Sequence, residues 1–212
     1  MIAAEAKSRS RFYLQLPARP SITLEAELGL ALSGTDVACV LLRRDDAPVD
    51  EARAASLVEL VQRHGVACLI DQDAELAARL HADGVHIEAD AQAYAKARAV
   101  LGKDANIGAH CGLSRHDAMR FAELGADYVA FGQVAGSLGD AFDQCEALVA
   151  WWSEIFVVPC VTFDIDDADA ARRLATSGAD FIAPSARIWE DGSPFARLSD
   201  LGAAIGEARR AA

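Results

Sequence analysis

Short apolar runs without polar alternation recur along this chain. Each is followed by a stretch whose apolar positions return at helical spacing. The runs lie at 12–16, 37–42, 67–70, 84–87, 106–110, 128–132, 157–162 and 181–183. The helical stretches lie at 22–32, 49–64, 73–81, 90–101, 114–124, 145–156, 166–177 and 196–210. An uninterrupted apolar run of this length reads as a strand buried on both faces of a parallel sheet. Parallel neighbours need a crossover, and a helix supplies it. Eight strand–helix units in strict alternation predict an α/β fold closed into a single (β/α)8 TIM barrel. An open doubly wound sheet usually needs only five or six strands.

One phrase repeats at the helix-to-strand joints. It reads Gly125-Ala126-Asp127-Tyr128-Val129, then Gly178-Ala179-Asp180-Phe181-Ile182, with a variant at Ala82-Asp83-Gly84-Val85-His86. A glycine ending a helix can take the left-handed conformation that stops it. The units fill residues 12–212 and leave no room for a second domain. Residues 1–11 carry Lys7, Arg9 and Arg11 with no apolar segment behind them, which predicts a flexible tail and not a secretory signal.

Composition narrows the partners. The formal charge of −12 argues against nucleic acid, because phosphate backbones are bound by clustered Lys and Arg. No apolar run approaches the ~20 residues needed to cross a bilayer. The five cysteines are odd in number and show no CxxC spacing. Cys39, Cys68 and Cys160 sit inside apolar runs as small hydrophobes. That usage predicts a reducing, cytoplasmic setting, with neither a disulfide framework nor a zinc site. The adjacent Trp151 and Trp152, and Trp189 beyond the last strand, are expected on the barrel exterior. One of the adjacent pair should pack on the sheet and the other should lie at a helix or subunit boundary, a pointer to a homo-oligomer.

In a (β/α)8 barrel the working face is built from the loops after the strands. His110 closes the fifth run, where an imidazole can move protons near neutral pH or serve a structural role. His86 lies within a strand and reads as packed. Cys111 and His110 are strand neighbours that point to opposite faces, which disfavours a nucleophile pair. Asp71, Asp73, Glu88 and Asp90 follow adjacent strands. They can form an oxygen cluster for a divalent cation, or Asp73 and Asp90 can simply cap helices. Arg43, Arg44 and Arg187 are the cations near this face, available for a phosphate or carboxylate, or for salt bridges to nearby acids.

Beyond these readings the chain resembles a known family, the thiamine phosphate synthase and thiazole tautomerase superfamily. The likeness is carried by Leu69-Ile70-Asp71-Gln72-Asp73 leading into Ala82-Asp83-Gly84-Val85-His86-Ile87, by Ile107-Gly108 and by Gly125-Ala126-Asp127-Tyr128-Val129. It continues in Val158-Pro159-Cys160-Val161, Gly178-Ala179-Asp180 and Ser185-Ala186. The resemblance implies a magnesium-dependent transferase of thiamine metabolism, joining a pyrimidine diphosphate to a thiazole phosphate and a small-molecule ligand at the mouth. Taken together with the readings above, it gives Arg43, Asp71, Gln72, Gln133, Ser185 and Arg187 as the expected substrate-binding residues, Arg43 and Ser185 being the ones that match the family's own.

Much of the implied equipment is altered. Gln72 and Ala91 stand where the family's two metal-binding aspartates are expected. The pyrophosphate lysine loop becomes Ala135-Gly136-Ser137-Leu138-Gly139-Asp140, and the Gly-Gly phosphate turn becomes Asp164-Ile165. Removing even one preorganised group commonly raises such a barrier by ~3 kcal/mol. The expected ligands of magnesium are therefore missing, and the activity is expected to be altered or lost. The alternatives are a non-catalytic small-molecule-binding or regulatory barrel, or a tautomerase-like enzyme using His110. The tautomerase branch places its histidine two residues later, on Gly112.

Overall fold

In the computed structural model, which describes residues 10–18, 21, 23–45, 49–132, 141–190 and 192–211, eight parallel strands pair in chain order and close on themselves. They are β1 (Arg11–Leu16), β2 (Val37–Leu42), β3 (Ala67–Asp71), β4 (Gly84–Glu88), β5 (Asn106–Gly112), β6 (Tyr128–Phe131), β7 (Cys160–Phe163) and β8 (Phe181–Ala183). β8 pairs with β1 through Arg11↔Phe181 and Phe12↔Ile182, which completes the barrel. The helices are α1 (Leu24–Gly34), α2 (Glu51–Arg63), α3 (Ala74–Arg79), α4 (Ala91–Leu101), α5 (Arg115–Leu124), α6 (Phe142–Ile155), α7 (Ala168–Thr176) and α8 (Pro194–Ala211). A short 3₁₀ turn, Ala186–Trp189, follows β8. The expected TIM barrel is the observed one.

Polar residues start these helices as the chemistry of free N–H groups requires. The side chains of Asp50, Asp73, Asp90, Ser114 and Asp167 each accept a backbone N–H from the first turn of the helix they precede. Gly125 ends α5 at φ 88°, in the left-handed region.

The repeated joint has a function in the fold. Asp83 Oδ2 accepts the N–H of Cys68 at 2.7 Å, Asp127 Oδ2 that of Ile107 at 2.8 Å, and Asp180 Oδ2 that of Cys160 at 2.9 Å. Each aspartate therefore holds the opening residues of the strand preceding its own, one neighbour back around the barrel. Asp127 also receives Arg98 at 2.9 Å, and Arg98 in turn donates to the Ala105 carbonyl.

Strand side chains alternate between two buried environments. One set packs under the helices. The other fills the lumen with Tyr13, Cys39, Leu41, Leu69, Tyr128, Ala130, Val161, Phe163 and Ala183. Gly108 makes room for the Tyr128 ring, because a Cβ there would lie 1.9 Å from it.

Several sequence expectations shift. β7 begins at Cys160, three residues late, and Val157 is 99% exposed. Pro159 explains this: it has no N–H for the ladder, although its carbonyl still accepts from Val129. The expected tail at 1–11 overlaps the barrel, since Arg11 opens β1 and Ser10 is buried with its hydroxyl on the Ala179 carbonyl. Residues 1–9 lie outside the described residues. Trp152 packs on the barrel wall as expected and donates to the Val158 carbonyl. Trp151 is half-buried beneath Arg115, whose guanidinium carbon lies 4.6 Å from the ring centre. Trp189 is not on the exterior: it is buried, and its Nε1 donates to the Gln15 carbonyl at 2.7 Å, sealing the β8–β1 seam. None of the five cysteines forms a disulfide and all are buried, and among the described residues no helix is long and apolar enough to cross a membrane.

Candidate functional site

At the C-terminal mouth the lumen turns polar. Arg43, just after β2, donates from Nε to Asp71 at 2.9 Å and from Nη1 to Gln15 Oε1 at 2.9 Å. Gln15 Nε2 donates in turn to the Pro184 carbonyl at 3.1 Å and, at 3.4 Å, to Asp164 Oδ1. One glutamine thus ties together the ends of β1, β2 and β8 and the residue after β7. Strand parity puts it there: Gln15 follows Tyr13 by two and shares its inward face. Sequence reasoning missed Gln15, although a lone amide in an otherwise apolar run was the available signal.

Below this layer runs a buried chain. Tyr13 and Tyr128 share a hydroxyl–hydroxyl bond of 2.8 Å, and Tyr128 meets His86 Nδ1 at 2.9 Å. His86 is packed, as expected, but it is more than filler. Among the described residues its Nε2 is buried without a hydrogen-bond partner, as are His110 Nδ1 and Asp164 Oδ2. Phe163 sits between these groups, its ring centre 5.1 Å from His86, 5.6 Å from His110 and 5.5 Å from Tyr13.

Burial sets the protonation states. It holds His86 well below the usual imidazole range, helped by His110 and Arg43. It lowers His110 to about 4, with Arg43 adding to the effect. Both imidazoles are neutral at pH 7. Burial pushes Asp164 up to about 6, against the opposing pull of Gln15 and Arg43. Glu88 is raised by burial and then by the nearby Asp71 carboxylate. Cys111 faces the outer core beneath the helices and is pushed up to about 12 by burial, which removes a Cys111–His110 nucleophile pair.

The remaining expected site residues fall as follows. Gln72 adopts φ 58° after β3, and its Oε1 accepts the Glu88 N–H at 3.2 Å. Ser185 is occupied by Asp166, which takes both its N–H and its hydroxyl. Arg187 is exposed on the 3₁₀ turn. Gln133 lies outside the described residues, as does the whole 133–140 segment.

The four-acid cluster does not assemble as a cation site. Asp73 and Asp90 turn their carboxylates onto helix N–H groups, Asp73 also pairs with Arg44, and Asp71 is held by Arg43. Among the described residues no three His, Cys, Asp or Glu side chains gather to hold a metal. At the two positions where the family resemblance expects metal-binding aspartates, Gln72 is tied to Glu88 and Ala91 offers only a methyl group. A magnesium ion is usually held by one or two carboxylates together with substrate phosphates and water. Neither of these two positions supplies a carboxylate to it.

Comparison with known proteins places the chain. The family model described as thiamine monophosphate synthase matches residues 15–188. The thiamine-phosphate synthase of Rhodospirillum centenum is 39% identical over 200 residues, covering 90% of this chain and 95% of that protein. That of Erythrobacter litoralis is 42% identical over 149 residues, covering 66% and 70%. Among solved structures, thiamine phosphate pyrophosphorylase from Pyrococcus furiosus superposes with a TM-score of 0.78 at 20% identity, covering 95% of this chain and 98% of that one, a likeness of fold. With the family model spanning most of the barrel and relatives this similar along nearly its whole length, the chain belongs to the thiamine monophosphate synthase family.

Proposed function

We propose that this protein is a small-molecule-binding barrel of thiamine metabolism whose mouth has given up the family's grip on magnesium and pyrophosphate. Transfer of a pyrimidine diphosphate onto a thiazole phosphate is then not its main reaction. Departure of pyrophosphate needs cations on the leaving group and backbone or basic donors around it. The observation that carries the reading is the charge at the mouth. Arg43 is already engaged by Asp71 and Gln15, while Asp164 and Glu88 have no cation bonded to them among the described residues. A diphosphate entering there meets carboxylates. Purified protein supplied with magnesium and both substrates should release no pyrophosphate above background, and its gene should not rescue a strain lacking the synthase. Robust release or rescue would contradict the reading.

A second reading, proton transfer on a small heterocycle, is favoured by His110. Its Nδ1 has no partner among the described residues and burial keeps the ring neutral, so it can take up a proton at that atom. His110→Ala should then abolish tautomerase turnover with little change in Tm, and a fully active variant would dismiss the role.

A further inference from the structure

The large apolar residues left exposed are not scattered. Leu30 and Phe195 lie on α1 and α8, but Val100, Met119, Leu124, Ile155 and Val157 belong to three consecutive helix units, α4 to α6. Single exposed apolar side chains are ordinary on a protein surface, whereas a contiguous group of them marks an interaction face. Contacts between the helices hold this group together. Tyr94 of α4 meets Phe121 of α5 at 6.0 Å between ring centres, and Arg115 of α5 covers Trp151 of α6. Val100, Leu124 and Ile155 stand in the last two positions of their helices, at the end of the barrel away from the mouth, and Val157 follows there. Ala95 and Ala99 are also exposed on α4, so that helix offers a low, apolar surface.

Charge on this face has opposite signs on the two sides of α5. Lys96 and Arg98 lie on α4, which has no carboxylate; Asp143, Glu146 and Glu154 lie on α6, which has no cation. α5 itself sets Arg115 and Arg120 against Asp117 and Glu123 and adds no net charge. Several of these groups are used within the chain: Lys96 pairs with Glu75, Arg98 with Asp127, and Asp143 and Glu146 with Arg173. Arg120 and Glu154 are exposed and in no salt bridge among the described residues. Arg120 leans toward α4, where its charge reaches the Asp90 carboxylate at the start of that helix. At a net charge of −12 two copies repel on most approaches. An approach that sets α4 of one copy against α6 of the other is the one in which opposite signs meet.

We propose that a second copy of this chain covers this face, in a dimer whose two-fold axis runs along α5 and sets α4 of each copy on α6 of the other. Met119, Leu124, Trp151 and Ile155 form its apolar centre, and Arg120 of each copy meets Glu154 of the other. The two-fold axis repeats each pair, so one face carries both halves of its own complement. Trp, Met and Arg are residue types that interfaces favour. The face lies away from the mouth, so the dimer leaves that end of the barrel open and does not depend on the chemistry there.

Sedimentation equilibrium of the full-length protein tests this. At about 100 µM it should sediment at twice its 22.5 kDa chain mass. Ile155→Asp, at a position already 60% exposed, should weaken association at least tenfold with an unchanged circular-dichroism spectrum. Arg120→Glu and Glu154→Arg each set like charges against each other at both pairs, so each variant alone should be monomeric. Mixed in equal amounts, the two restore opposite charges at both pairs and should associate. A parent protein that is monomeric at about 100 µM would overturn the dimer. So would an Ile155→Asp variant or single charge variants that associate as the parent does, or a mixture of the two charge variants that stays monomeric.

Discussion

Asp164 concentrates the conflict between what the backbone needs and what the side chain does. It holds φ 63°, a conformation in which Asp and Asn are the best-tolerated residues after glycine. The family resemblance puts a glycine pair here, so the turn is kept while a carboxylate is added. That carboxylate is buried with one oxygen unpartnered among the described residues, and burial pushes it up to about 6, above the ordinary value of 3.8. The folded state therefore binds a proton more readily than the unfolded chain between about pH 4 and 6, and the resulting stabilisation is lost as pH rises through 6. Asparagine mimics the protonated acid. Asp164→Asn should come closest to the parent protein in thermal unfolding below about pH 4 and exceed it by a few degrees at pH 7.5. A variant that is less stable at pH 7.5 would mean that Asp164 has a favourable partner and is not an uncompensated charge. His110 works in the opposite sense: its lowered value means stability is lost as pH falls from 6.5 toward 4.

At the scale of elements, the barrel is stapled by the aspartates of the repeated joint. Asp127 accepts from both the Ile107 N–H and Arg98. Removing it leaves the part-buried Ile107 N–H without its acceptor and Arg98 without its carboxylate, although Arg98 keeps carbonyl acceptors at Ala105 and Gly125; the cost is about 1–3 kcal/mol. Asp127→Ala should lower the urea-unfolding free energy by about that much, whereas Asp104→Ala, at an exposed position, should stay within about 0.5 kcal/mol of the parent. Equal effects from the two would remove the staple.

The elements were the most legible part of the chain. Apolar runs and helix-end glycines located all eight strands, because burial on both faces leaves a signal that solvent exposure does not dilute. The start of β7 was misjudged because apolar Val157 and Val158 look like strand, yet Pro159 cannot join the ladder at its N–H. The site was less legible. A strand's inward face is shared by the core filler Tyr13 and the site residue Gln15, and periodicity alone does not show where the lumen turns from apolar to polar. His86 was read as packed for the same reason. It is packed, but one nitrogen is buried without a hydrogen-bond partner among the described residues. Asp73 and Asp90 were legible as helix caps, and that is what they are.

For the whole molecule, family membership and site chemistry point in different directions. Eight paired strands and a family match across 15–188 fix the ancestry of the scaffold. Function is set by the mouth, which one scaffold can fill in many ways. This mouth has neutral imidazoles, a bound arginine, two carboxylates without cation partners among the described residues, and an amide and a methyl at the expected metal positions. Net charge reinforces the local picture, since a chain at −12 does not steer polyanions toward itself. The most direct measurement is calorimetric titration of magnesium pyrophosphate into the full-length protein at neutral pH. The account predicts no heat of binding up to millimolar concentration; a saturable isotherm in the micromolar range would contradict it.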